Sequence, residues 1–491
     1  MRHRILAAFG LALLVCPPRG AAGKEAWHEA ASKNFVLVTN GNSDQAVSIV
    51  ETAERFRYAL LQVLPQLRLE TSAPARLYGF RDVDSLSPFL PSPAGETLKI
   101  SGYFREGGAG NVIVIDLSDD ATAYERVLFH EYVHLLLSLP DQSFPLWFEE
   151  GLSEFYAGAR LSPTEAEVGL PDRHHLVFLS RGPLIALEDL LRAKVGSALF
   201  YAQSWALVHY LLASASRGQE RLARFLALAG DGRDPVEAFR EAFGQDTRAL
   251  EEELRRYVAE GSFPRFRVTI AGSSFRGEPL LRRLSTAEVQ KRWGDLFLAT
   301  GRVLEARVSL EEALRLDPTL GEACESLGFL HLAMGETELA RKRFSQAIGL
   351  GSPSAIGLTE YAKLLLREYS GGWVDAIPEP TAEEAISALR RSVSLRPGAR
   401  EPIELLVFVY LVRGERLDEA EALLDQALAA SPGEASLLYL EGQLLAKRGE
   451  YDRAREVLAR VVAEAKEASL REAAAAFLSR LDGVERAPRK P

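Results

Sequence analysis

The residues best suited to chemistry lie in Phe129-His130-Glu131-Tyr132-Val133-His134-Leu135. On an α-helix His130 and His134, four residues apart, stack one turn above the other on one face. Two imidazoles so placed can ligate one zinc ion, and Glu131 beside the first can reach a water that the ion activates. Leu128, Phe129, Val133, Leu135, Leu136 and Leu137 are spaced to bury the rest of the helix. Charge in such a setting is costly unless it is used. A catalytic zinc ion needs a third protein ligand and an open position for water. A second candidate helix, Leu146-Trp147-Phe148-Glu149-Glu150-Gly151-Leu152-Ser153-Glu154-Phe155, offers two adjacent glutamates. Glu149 and Glu150 point about 100° apart, so only one of them can face the histidines.

HExxH followed by Trp-Phe-Glu-Glu-Gly-Leu-Ser-Glu-Phe resembles the gluzincin zinc metallopeptidases, and more closely the bacterial peptidase-MA-like domains. The resemblance implies an α+β, thermolysin-like catalytic domain holding one Zn2+ through His130, His134 and Glu150, the glutamate before the glycine. It implies Glu131 as the general base and Glu154, one turn beyond Glu150, as the carboxylate that orients a ligand histidine. Tyr201, which opens Tyr201-Ala202-Gln203-Ser204-Trp205, matches the phenol that stabilises the oxyanion in aminopeptidase relatives. Tyr210 and His209 on the same segment read as packing. Fifteen residues separate His134 from Glu150, fewer than in the aminopeptidases, and a short loop from Ser138 to Pro145 accounts for this. In gluzincins an edge strand just upstream pairs with the peptide substrate. Gly107 to Asn111 sits where aminopeptidases carry Gly-Xaa-Met-Glu-Asn but lacks the glutamate that holds a free amino group. Internal cleavage is therefore expected.

Alternating strand and helix signals over residues 27 to about 118 would position these helices. Phe35–Thr39, Ala75–Phe80 and Asn111–Asp116 read as strands. Asn40-Gly41-Asn42-Ser43 can cap a helix running from Asp44 to Leu64. Beyond the Glu150 helix, Pro163, Pro171 and His174-His175 read as a solvated loop, because adjacent side chains diverge and do not share a metal. Helices near 218–229, 234–243 and 247–258 would complete a catalytic domain spanning 27–265, followed by a linker over 266–286.

The chain begins Met1-Arg2-His3-Arg4, then an apolar run from Ile5 to Val15, Pro17-Pro18 and the small residues Ala21-Ala22-Gly23. The run is too short to span a bilayer and reads as a signal peptide over 1–22. An exported protein, periplasmic or secreted, is expected; Leu14-Val15 is a poor approach to lipidation at Cys16. The net charge of −10 becomes −13 once Arg2, Arg4 and Arg19 leave with the signal. An acidic chain without a basic stripe argues against nucleic acid or anionic membrane as partner. Cys324 would then be the single cysteine, which excludes an internal disulfide.

From Ala287 a period replaces the chemistry. Gly294, Ala306 and Ala313 recur 34 residues later as Gly328, Ala340 and Ala347, and Pro318 one place late as Pro353. This resembles tetratricopeptide repeats, in which small residues let paired helices approach. About five repeats, with an insertion near Ser370 to Pro380 and a capping helix from about Ser469 to Leu481, would form an all-α solenoid over 287–482, with a tail over 483–491. Such a solenoid suits a protein substrate or partner. Two functions follow: an internally cleaving zinc metallopeptidase with a recruiting repeat domain, or a non-catalytic scaffold for an exported complex. The intact His130, Glu131, His134 and Glu150 favour the first.

Overall fold

The computed structural model describes residues 26–63, 74–90, 102–105, 111–118, 120–138, 144–213, 217–270, 278–351, 354–369 and 376–485. The expected signal peptide, Gly107 to Gly110 and most of the insertion after Tyr369 lie outside the described residues. Two compact units divide the chain, Met1–Glu312 and Ala313–Pro491.

The first unit opens with β1 (His28–Ala31), β2 (Phe35–Thr39), α1 (Ser43–Val63), β3 (Ala75–Phe80) and the single turn α2 (Val83–Leu86). β4 (Gly102–Arg105), β5 (Val112–Asp116), α3 (Ala121–Leu137) and α4 (Leu146–Ala157) follow. Next come β6 (Arg160–Leu161), β7 (Glu165–Val168), α5 (Arg173–Ser180), α6 (Leu187–Arg192) and α7 (Ala198–Ala213). α8 (Gly218–Gly230), α9 (Pro235–Phe243), α10 (Thr247–Glu260), β8 (Phe266–Thr269), β9 (Leu280–Arg283) and α11 (Thr286–Ala299) complete it, and α12 (Val303–Leu316) crosses the boundary.

Six strands form one mixed sheet in the order β4-β5-β3-β2-β1-β9. β2, β3 and β5, the strands legible in the sequence, run parallel at its centre. Being covered on both faces, they are buried at nearly every position, as parallel strands usually are. β4, β1 and β9 flank them in antiparallel register. Asn42 accepts from the Gln45 backbone N–H at 2.7 Å, and so begins α1 where the polar turn was expected to cap it. Phe56 of α1 stacks on Phe129 of α3 with ring centres 4.1 Å apart, tying the central helix into the core.

The expected linker over 266–286 is a correction. It carries β8, which pairs with β7, and β9, which pairs with β1. Both strands are four residues long and largely exposed, so neither shows the apolar alternation that marks a strand in sequence. The compact unit also continues past residue 265 to include α11. Trp293 meets Trp27 edge to face at 5.8 Å, and Phe297 stacks on Phe89 at 4.8 Å. Glu29 of β1 accepts from Arg292 at 2.6 Å and from Arg282 at 2.7 Å. Tyr78 donates its hydroxyl to the Arg292 carbonyl at 3.1 Å.

The second unit is all-helical. α13 (Gly321–Ala333) is followed by α14 (Thr337–Gly349), α15 (Ala355–Leu366), α16 (Glu379–Leu395) and α17 (Arg400–Arg413). α18 (Leu417–Ala430), α19 (Ala435–Lys447), α20 (Tyr451–Glu464) and α21 (Ala468–Glu485) end it. A β-carbon at Gly328 would lie 2.7 Å from the Phe344 ring, and one at Gly442 would lie 2.6 Å from Leu458. Each glycine thus admits a large side chain from the partner helix sixteen positions on, which is the physical content of the small-residue period.

Because Trp293 fills the space between Trp27 and Phe89, Trp293→Ala should destabilise the first unit by about 3–5 kcal/mol. Urea unfolding followed by circular dichroism measures this; an unchanged midpoint would show that α11 contributes nothing to that core.

Candidate metal centre

α3 is divided by its own periodicity. Leu128, Phe129, Tyr132, Val133 and Leu136 are buried in the core, while Arg126, His130 and His134 stand on successive turns of another face. The helix starts at Asp120, whose carboxylate accepts from the Ala123 N–H at 3.1 Å. α4 buries Trp147, Phe148, Leu152, Phe155 and Tyr156. Its Gly151 lies so close to α7 that a β-carbon there would sit 2.5 Å from the Ser204 carbonyl oxygen. That approach explains the glycine of the Glu-Gly pair. It lets α4 settle against α7 with Glu150 directed at α3.

His130 and His134 bring their Nε2 atoms to 3.1 Å of each other. Glu150 Oε2 lies 3.5 Å from His134 Nε2 and 3.7 Å from His130 Nε2. Three donor atoms therefore surround one point. A tetrahedral ion with bonds of about 2.0–2.1 Å needs its ligand atoms about 3.3 Å apart, so the set fits zinc in spacing and in type. Among the described residues these three form the one group of histidine, cysteine and carboxylate side chains able to hold a metal. Glu149 is not in it.

Burial, reinforced by His134, Arg126 and His175, holds His130 down at about 3, so its imidazole is neutral and able to ligate. Burial also works to lower His134, but Glu150, Glu131 and Glu149 outweigh it and raise the group. Glu131 is raised by burial, against the pull of His134 and of the Phe104 backbone N–H. Phe104 belongs to β4, the edge strand of the sheet, so that edge lies beside Glu131. Tyr201, half-buried near the start of α7, is raised by burial and then by the charges of Glu150 and Glu154.

Glu154 Oε1 lies 3.5 Å from His130 Nδ1, the ring nitrogen turned away from the cluster. Its other oxygen accepts from Arg126 at 2.7 Å. Arg126 reaches on to Asp172 at 2.9 Å, and His175 Nε2 lies 3.5 Å from Glu154. The solvated-loop reading of His174-His175 is therefore half corrected. Both residues lie on α5; His174 is exposed, while His175 is buried and held near 4 by its burial. The diverging directions that kept the two from sharing a metal also send one of them inward. Arg126 and Asp172 escaped notice in the sequence, although Arg126 stands one turn before His130.

His209 is buried, as expected of a packing residue. Its Nε2 lies 3.0 Å from the Gly169 carbonyl, and a carbonyl can only accept, so Nε2 carries the proton. Tyr257 then donates its hydroxyl to Nδ1 at 2.7 Å. Gly169 adopts a φ of +77°, where a β-carbon would also strike the Phe155 ring at 2.8 Å.

Residues 106–260 match the Peptidase MA superfamily. The chain carries a peptidase MA superfamily domain. All three clustered side chains lie inside the matched range, as do Glu131, Glu154 and Tyr201. Residues 411–481 match the tetratricopeptide repeat, so the peptidase MA-like domain is followed by repeats. Solved repeat structures resemble the chain in part. YrrB, described as a TPR protein with an unusual peptide-binding site, is 19% identical over 39% of this chain and 92% of its own, with a TM-score of 0.34. A thermophilic TPR protein of Thermus thermophilus, TTC0263, is 24% identical over 39% and 99%, at 0.27. PilF of Pseudomonas aeruginosa is 21% identical over 40% and 85%, at 0.30. No curated protein matches the chain.

Burial pulls the folded His209 down to about 4 from an ordinary 6.5. The unfolded chain takes up this proton first, so protonation favours unfolding as pH falls through that window. The contribution is fully present above about 6.5 and shrinks by roughly 3 kcal/mol by about pH 4. His209→Gln, lacking a titrating group, should flatten that part of a plot of stability against pH. An equally steep acid limb in the variant would assign the loss to other groups.

Proposed function

We propose that this protein is an exported, zinc-dependent metallopeptidase of gluzincin type, with a thermolysin-like active site, that cleaves peptide bonds internally. The observation that carries the reading is the convergence of His130, His134 and Glu150 within 3.1–3.7 Å, with the Glu131 carboxyl beside them. When bound, zinc supplies the Lewis acidity that makes water a nucleophile near neutral pH and polarises a scissile carbonyl. Glu131 takes the proton from the attacking water and delivers it to the leaving amine; its raised affinity for protons suits that exchange. Tyr201 donates its hydroxyl to the oxygen on which negative charge develops. Edge strand β4, beside Glu131, offers backbone groups that an extended substrate can pair with. The repeats bring the protein substrate or a partner to the enzyme.

Elemental analysis of the purified protein should find one zinc per chain, and His134→Ala should retain little. Full retention by that variant would remove His134 from the ligand set.

Glu131→Gln should keep the metal and lose about 10²–10⁴-fold in turnover, because it removes a proton carrier and no ligand. A peptide with a blocked amino terminus should be cut at least as well as its free twin, and Tyr201→Phe should lower kcat more than it changes KM. Turnover confined to free amino termini would overturn the internal-cleavage reading.

A further inference from the structure

We propose that Arg126 is a positioning residue that sets the metal-binding orientation of His130 through Glu154, while anchoring α5 to the same centre. The inference rests on reading His130, His134 and Glu150 as the metal set. Arg126 precedes His130 by one turn of α3, so its side chain rises from the face that carries the ligands. Its two terminal nitrogens serve different helices. Nη2 donates to Glu154 Oε2 of α4 at 2.7 Å, and Nη1 donates to Asp172 Oδ2 at 2.9 Å. Asp172 is the N-cap of α5, where its Oδ1 accepts from the His174 backbone N–H at 2.6 Å. One guanidinium therefore joins three helices.

The division of labour within Glu154 decides the consequence. Arg126 occupies Oε2, which leaves Oε1 as the oxygen facing His130 Nδ1 at 3.5 Å. A carboxylate at Nδ1 keeps the proton there and leaves the Nε2 lone pair free for a metal. His175 supports the same oxygen as Arg126 but stands farther away, at 3.5 Å. Without Arg126 the carboxylate could turn about its own χ angles and release the imidazole. The planar fork of arginine spans two carboxylates at once; the ammonium of lysine is a point charge and does not reproduce that geometry.

The test measures zinc affinity by competition with a chromophoric chelator for the wild-type chain, Arg126→Met, Arg126→Lys, Glu154→Gln and the double variant Arg126→Met/Glu154→Gln. Arg126→Met and Glu154→Gln should each weaken zinc about 10–100-fold. The double variant should be within about 3-fold of the weaker single one, because both act through the same carboxylate. Arg126→Lys should recover little, and the visible spectrum of cobalt-loaded Arg126→Met should differ from wild type as the His130 ring reorients. Should Arg126→Met fail to fold by circular dichroism, Arg126→Lys carries the same comparison. Unchanged zinc affinity in folded Arg126 variants, or losses that multiply in the double variant, would overturn the proposal. Failure of the wild-type chain to bind zinc would instead overturn the metal-set reading beneath it.

Discussion

Everything at the centre depends on how closely α4 can approach α7. With a hydrogen in place of a side chain at Gly151, the two backbones come nearly into contact at Ser204. Any β-carbon there would push α4 outward, and a shift of about 1 Å is nearly a third of the 3.1–3.7 Å that separates the three donor atoms. The apolar side of α4, with Trp147, Phe148, Leu152 and Phe155 all buried, then locks the helix at that distance. The close-packed core does not place the three donor side chains one by one. It places two helices, and their periodicity does the rest.

The polar groups around the cluster show why so much charge survives in a buried setting. Glu154 is pushed up to about 7 by its burial even with Arg126 beside it. An unpaired carboxylate in that position would be still more costly. Arg126 reduces the penalty while the charge of Asp172 adds to it, and the paired groups form a polar layer behind the three donor side chains. Such layers orient the groups that touch a metal, and their stiffness follows from the cost of breaking any one pair.

The grouping of His130, His134 and Glu150 was more legible in the sequence than the outer parts of the architecture. His130, His134 and Glu150 could be named because helical spacing and a two-helix motif are local properties. Central strands β2, β3 and β5 were visible because burial on both faces makes them predominantly apolar. Strands β8 and β9 were invisible for the opposite reason: four residues each, exposed, and arginine-bearing, they look like linker. Arg126 and Asp172 were missed, and His175 was read as part of a solvated loop, because their contacts arise where three helices meet, which no single window contains. His175 shows the limit most clearly. Its neighbour His174 faces water, and only the placement of α5 decides which of the two turns inward.

The late strands carry a consequence for how such a protein can be rearranged in evolution. β9 closes the open side of β1, and β8 closes that of β7, although both lie beyond the residues that match the peptidase family. A recombination breakpoint at the family boundary would leave two hydrogen-bonding edges bare, each a template for pairing with another molecule. β9 itself presents Arg282 and Arg283, charges of the kind that discourage such association at a sheet margin. Inheritance of the peptidase MA-like domain intact therefore requires the chain through β9, with its charged border, to travel together as one protected piece.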